Sequence, residues 1–155
     1  MSSGFEQRLG MLEASSAIRA LKMRYARTCD DGYRPEVMRS LFTEDAVWDG
    51  GETFGRYEGR EAIVEFFSGT PERVAWAMHY TVAGDIDVAA DLKTATATWY
   101  LWQPMTLDGN ALWLIADYAD EYVKTPDGWK FSDVKCNVQA LTPIDVGWVK
   151  TRIVS

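Results

Sequence analysis

Histidine occurs once in the 155 residues, at position 79, and cysteine twice, at positions 29 and 136. So small a set excludes the paired Cys/His spacings of a zinc centre and leaves no disulfide framework. Basic residues are outnumbered, 16 against 23 acidic ones, for a formal net charge of −7. That sign argues against a nucleic acid or an anionic membrane as partner. No apolar run is long enough to span a bilayer. The opening MSSGFEQRLG has no basic stretch leading into an apolar one, so no secretory signal is expected, and free thiols point to the cytoplasm. There is no phosphate-cradling glycine loop and no glycine-flanked nucleophilic serine. The many acidic side chains lack calcium-loop spacing. Neither metal nor cofactor is therefore expected.

What is abundant is apolar and aromatic character. Hydrophobic residues make up 47% of the chain, enough for one domain over residues 1–155 with a core that can enclose a cavity. Seven tryptophans, at 48, 76, 99, 102, 113, 129 and 148, serve either core and interface packing or the walls of an apolar pocket.

The first third reads as helical. In SSAIRALKMRYARTCDDG, Ile18, Leu21, Tyr25, Ala26 and Cys29 lie on one face, with Ser15 or Ser16 as a start and Gly32 as an end. RPEVMRSLF is a second, short helix with Pro35 near its first turn, EDAVWDGG a strand running into a turn, and GREAIVEFFSG a third helix with Ile63, Phe66 and Phe67 inward. Four long strands follow, near residues 76–89, 94–105, 111–124 and 129–142, joined by short turns. Helices followed by an antiparallel meander is an α+β order.

Alternation along the strands assigns their faces. Ala95, Ala97, Trp99, Leu101 and Gln103 form the inner face of one strand, and Val134, Cys136, Val138 and Ala140 that of another. His79 shares a face with Ala77 and Thr81, opposite Trp76, Met78, Tyr80 and Val82. With Tyr100 and Trp102 on the next strand, these leave an apolar outer face that a second subunit would cover.

The remaining chemistry is acid–base. A pocket histidine can take or give a proton near neutral pH, and it needs a carboxylate on its other ring nitrogen. The pair Asp30–Asp31 ends the first helix. Alternatively, CDDG is a solvated helix end and His79 a hydrogen-bonded structural residue. On a helical wheel Asp30 reaches a pocket only where the helix ends or tilts, and Asp31 points to solvent.

In their order, AIRALKMRYARTCD, LFTEDAVWDG, GRYEGREAIVEFF, MHYTV, ATATWYLW and DYADEYVKTPDGWKFS resemble a SnoaL-like member of the nuclear transport factor 2-like superfamily, from about Ala17 to Pro143. Within it the pattern is most similar to the cofactor-free lyases, namely scytalone dehydratase, bile acid 7α-dehydratase and γ-hexachlorocyclohexane dehydrochlorinase. The resemblance implies a cystatin-like cone, a curved mixed or antiparallel sheet wrapped around the N-terminal helices. It implies that Asp30 orients His79 as a general base, with Tyr25 as a third catalytic residue. Trp48, Trp99, Leu101, Gln103, Leu114, Tyr118 and Val138 would bind substrate. The chain departs from the pattern at Gln103, where the bile-acid enzyme has an acid, and on the last strand, where Val134, Cys136 and Val138 stand without an inward arginine.

The implied activity is a dehydratase-like elimination on a small hydrophobic alicyclic or aromatic molecule. Isomerisation or retro-aldol cleavage would use the same base. A non-catalytic binding module and a structural subunit, like the small subunit of ring-hydroxylating dioxygenases, are the other classes. The resembled lyases imply a homotrimer, other branches a dimer.

Overall fold

The computed structural model describes residues 2–154. Helix α1 (Ser2–Asp30) is followed by α2 (Pro35–Leu41), β1 (Phe42–Asp49), α3 (Gly51–Phe54), β2 (Arg56–Glu58) and α4 (Arg60–Gly69). A 3₁₀ turn, Thr70–Glu72, leads into β3 (Val74–Ala77), β4 (Tyr80–Val88), β5 (Thr94–Leu107), β6 (Asn110–Thr125) and β7 (Gly128–Pro143). This is the expected α+β arrangement, with helices against one face of a curved sheet. Among the described residues no helix is long and apolar enough to cross a membrane.

Helix α1 is longer than its periodicity suggests. It runs for 29 residues, so Ser15 and Ser16 lie in its middle and cap nothing. The physical reason is that its first half buries no apolar stripe: Phe5, Leu9 and Leu12 are exposed, and Ala14 is the first buried hydrophobic residue. Near its start Gly10 lies against the Leu92 side chain, where a Cβ would meet Cδ1 at 2.6 Å and push that flexible side chain aside. The helix ends as expected at Gly32, whose φ of 76° is followed by a second left-handed residue, Tyr33, at 56°. The Tyr33 N–H reaches back to the Thr28 carbonyl at 2.8 Å, which closes the last turn in the manner of a Schellman cap.

The sheet has seven strands in the order β2-β1-β7-β6-β5-β3, with β4 also paired to β5. Only the β1–β7 pair is parallel among these ladders; the others are antiparallel. The single strand expected over residues 76–89 is two, β3 and β4, laid end to end along β5. The break falls beside Pro104. Met78 N–H bonds the Pro104 carbonyl at 3.1 Å, but the proline has no N–H to return. The next N–H, that of His79, faces away from β5.

Register irregularities bend the sheet. Strand β4 carries one residue more than β5 between Ala83 and Ile86, and β7 is irregular against β6 between Ala116 and Ile115. The second of these corrects one face assignment. Val138 pairs with Ala116 and Leu141 with Leu114, whereas Ala140 pairs with Ile115 on the opposite face. An extra residue at Gln139 reverses the alternation. Elsewhere the alternation holds: Ala95, Ala97, Trp99, Leu101 and Gln103 are buried inward, while Trp76, Met78, Tyr80, Val82, Tyr100 and Trp102 are 41–65% exposed on the outer face.

Candidate active site

Asp30 and His79 meet where the end of α1 faces the gap between β3 and β4. Asp30 Oδ1 lies 2.6 Å from His79 Nδ1, and the same carboxylate accepts the His79 backbone N–H at 3.0 and 3.2 Å. One acid therefore grips both backbone and ring. The imidazole side chain is 7% exposed and the Asp30 side chain 27%. With a carboxylate at Nδ1, the neutral ring carries its proton there and presents the Nε2 lone pair. Asp31 turns outward instead and pairs with Arg34 at 3.0 Å on the surface.

His79 forms part of the wall of a cavity of about 70 Å³. Tyr25, Trp48, Gln103, Leu114 and Tyr118 share that wall. Trp48 Nε1 donates to the Tyr25 hydroxyl at 3.0 Å, which leaves the phenol proton for another acceptor. Burial holds the Tyr25 and Tyr118 phenols far above their ordinary range, so both remain protonated donors. Gln103 is 3% exposed, and its amide oxygen has no hydrogen-bond partner among the described residues. Its Nε2 meets Met105 Sδ at 3.7 Å. A buried amide without a partner is costly unless a ligand completes it. Since the two ends of an amide are assigned from their surroundings, Gln103 can offer either a donor or an acceptor.

Both cysteines are protonated thiols. Burial pushes Cys136, on the cavity wall, up to about 12. Burial, then the nearby Asp30 charge, pushes Cys29 higher still. Neither is a thiolate nucleophile at neutral pH.

Of the residues singled out in the sequence, Asp30, His79, Tyr25, Trp48, Gln103, Leu114 and Tyr118 are thus brought together. Trp99, Leu101 and Val138 are not. Trp99 faces inward, but its indole N–H is taken by the Tyr122 hydroxyl at 3.1 Å. Leu101 is buried in the core and Val138 packs half-buried against it; none of the three lines the cavity. Tyr33, Phe54, Phe66, Phe67, Thr70, Val74, Met105 and Cys136 complete the wall. Met105 was legible as the next inward position after Gln103. Tyr33 was not, because it enters through the left-handed turn after Gly32 and stacks on Phe67 with ring centres 5.5 Å apart.

A second polar group lies deeper and was not singled out. Lys22 Nζ pairs with Asp120 Oδ2 at 2.8 Å, both side chains 0% exposed. The Tyr122 hydroxyl donates to the same oxygen at 2.8 Å. The ammonium sits 3.4 Å from the centre of the Tyr118 ring, below the cavity wall. Burial pulls Lys22 below its ordinary value and pushes Asp120 above its own, each opposed by the partner's charge. The signal was present: Lys22 follows Ile18 by one helical turn, and Asp120 continues the inward series Leu112, Leu114, Ala116, Tyr118.

The SnoaL-like domain family matches residues 10–135. No curated protein matches the sequence. Among solved structures, a type 2 hexachlorocyclohexane dehydrochlorinase, LinA, superposes with a TM-score of 0.80 at 21% identity, over 88% of this chain and 93% of that one. A proposed scytalone dehydratase from Novosphingobium aromaticivorans DSM 12444 gives 0.76 at 21% identity, over 90% and 91%. A nuclear transport factor 2-like superfamily protein from Salmonella enterica serovar Typhimurium gives 0.74 at 19% identity, over 88% and 99%. These likenesses are of fold.

Proposed function

Because the chain belongs to the SnoaL-like family, whose fold neighbours include dehydrochlorinases and dehydratases, we propose that it is a cofactor-independent lyase that eliminates water from a hydrophobic alicyclic or aromatic molecule. The observation that carries this reading is the double grip of Asp30 on His79, through backbone N–H and ring Nδ1. A merely structural histidine needs no carboxylate to fix its tautomer, and a base does.

In the proposed reaction Nε2 of His79 removes a proton from the carbon next to a carbonyl. The electron pair moves toward the carbonyl oxygen, where Tyr25 and Gln103 donate hydrogen bonds to the growing charge. The carbon–oxygen bond to the hydroxyl then breaks as the double bond forms. The imidazolium returns its proton to the departing hydroxide, and water leaves. Asp30 stabilises the imidazolium between these steps. An isomerase would use the first half of the sequence and reprotonate another carbon.

Proton abstraction can be measured before the substrate is known. A panel of uncharged enolisable cyclic ketones is incubated with the protein in D₂O, and loss of the α-proton signal is followed by NMR. Exchange that disappears in His79→Gln, with ketone binding retained, supports the base. Ketones that bind but exchange no faster than in buffer reduce the protein to a binding module.

A homotrimer formed through the outer sheet face, in the cytoplasm, belongs to the same proposal. Tyr80 pairs with Trp102 and Val82 with Tyr100 across β4 and β5, and Trp102 continues to Trp113 at 5.2 Å and Trp148 at 6.3 Å. Such a continuous aromatic patch is uncommon on a monomer.

A further inference from the structure

The cavity beside His79 measures about 70 Å³, well below the roughly 300–1,000 Å³ of sites that enclose a whole organic ligand. A second chamber, of about 860 Å³, lies between α3, α4, the ends of β5 and β7, and the segment after β7. The two share Phe54, Phe66, Thr70 and Val74 as lining residues. Those four side chains stand between the two.

From this shared wall we infer that the two are successive compartments of one funnel, with those four side chains as its neck, and that the ligand is bipartite. A compact end, one ring or less and bearing the oxygen that Gln103 and Tyr25 would bind, enters the inner compartment. An extended apolar body fills the outer one. The inference rests on the proposed role of His79 only in choosing which end is inside.

The outer walls define the body's chemistry. Leu107, Leu112, Leu141, Pro143, Ile153 and Val154 provide apolar surface. Arg73, the basic residue of the lining, is already engaged by Asp108 through contacts of 3.1 and 2.6 Å. With Glu52 also on the wall, an anionic tail has no free cation to meet. The body is uncharged, and any polar group at its outer end is a hydroxyl or an amide able to reach Asn110 or Thr53. The segment after β7 is tied back by Leu141 N–H to the Arg152 carbonyl at 2.8 Å, Val154 N–H to the Leu141 carbonyl at 2.9 Å and Arg152 Nε to the Gln139 carbonyl at 2.8 Å.

The test uses phenol, 4-ethylphenol, 4-butylphenol and 4-hexylphenol, with binding followed by titration calorimetry. If the body occupies the outer chamber, affinity rises about fourfold per methylene, the equivalent of ~0.8 kcal/mol for each buried CH₂. Val74→Trp narrows the neck that the chain must thread, so the rise with chain length vanishes. Ile153→Asp, at an exposed position that tolerates charge, weakens the hexyl compound at least tenfold and leaves phenol unchanged. A flat series, absence of binding by every member, or an undiminished rise in both variants overturns the inference. These are affinities, so they stand or fall separately from the proton-exchange result on His79.

Discussion

Replacing Asp30 by Asn separates what the carboxylate does by position from what it does by charge. Asp30 Oδ1 takes both the His79 backbone N–H, at 3.0 Å, and ring Nδ1, at 2.6 Å. The backbone donor cannot turn away. An amide at residue 30 must therefore place its oxygen, not its nitrogen, at that point, and the Nδ1–H tautomer survives. What is lost is the negative charge opposite the imidazolium formed during proton transfer. Unit charges about 4 Å apart attract by roughly 4 kcal/mol at an effective dielectric near 20. Asp30 keeps 27% of its side chain in water, so solvent screens part of this, and about 2 kcal/mol is a fair expectation. That corresponds to roughly thirtyfold slower α-proton exchange. Asp30→Ala removes position as well and should cost on the order of 10²–10⁴, the scale of a positioned base. With one histidine in the chain, ¹⁵N-histidine labelling reads the tautomer without ambiguity. The expected result is unchanged ring nitrogen shifts at neutral ring charge in Asp30→Asn and a mixed tautomer in Asp30→Ala. If Asp30→Asn is as damaging as His79→Gln, or flips the tautomer, the argument from the shared oxygen is wrong. If it exchanges at the wild-type rate, the charge has no part in the chemistry.

Three further outcomes follow from the buried groups and the outer face. Lys22→Met leaves Asp120 ionised and unpaired and should cost about 3–5 kcal/mol at pH 7, a fall of about 10 °C in thermal midpoint; Lys22→Met with Asp120→Asn should recover most of it. Because burial raises Asp120 in the folded state, the single variant's deficit should shrink as pH falls through that raised value, and an equal deficit at pH 4 and pH 7 in urea titrations would count against an unpaired charge. In the unfolded chain Cys136 ionises near 9, and in the folded one near 12; its contribution is therefore complete below pH 9 and is lost as pH rises toward 12, and Cys136→Ala should flatten the alkaline decline in denaturant midpoint. Tyr80→Asp should reduce the mass seen by light scattering to that of one 17.5 kDa chain, and an assembly unchanged by that substitution would move the subunit contact elsewhere.

The three main helices, β1 and the long antiparallel strands in their order, the helix end at Gly32 and the faces of β4 to β6 could be read from periodicity and turn residues; the short α3 and β2, placed in a turn, could not. The meeting of Asp30 and His79 could be read too, although only through resemblance, because the helical wheel alone pointed Asp30 away from the face centre. The structure shows why it nevertheless reaches the site: α1 ends there, so no further turn of helix stands between its carboxylate and the gap between β3 and β4. What could not be read were effects that cross elements. The strand break at His79 depends on Pro104 in the neighbouring strand, and the reversal at Ala140 on an extra residue at Gln139. The inward Lys22 looks like an error in an apolar stripe until Asp120 is seen opposite it. The wall shared by the two compartments is built from α3, α4, the 3₁₀ turn and β3, four pieces with no shared pattern in the sequence.

The two-point hold on His79 has a stereochemical consequence. A ring pinned at both its backbone and Nδ1 can neither flip nor migrate, so its one free nitrogen approaches a bound molecule from a single side. Of the two hydrogens on a ring CH₂ beside a carbonyl, only the one on that side can be taken, and a proton returned by the same imidazolium arrives there too. The site is in this sense handed: a symmetrical cyclohexanone left in D₂O with the protein would gain deuterium in one configuration at each exchanging carbon, and water expelled from a hydroxy ketone would depart from the face that lost the proton.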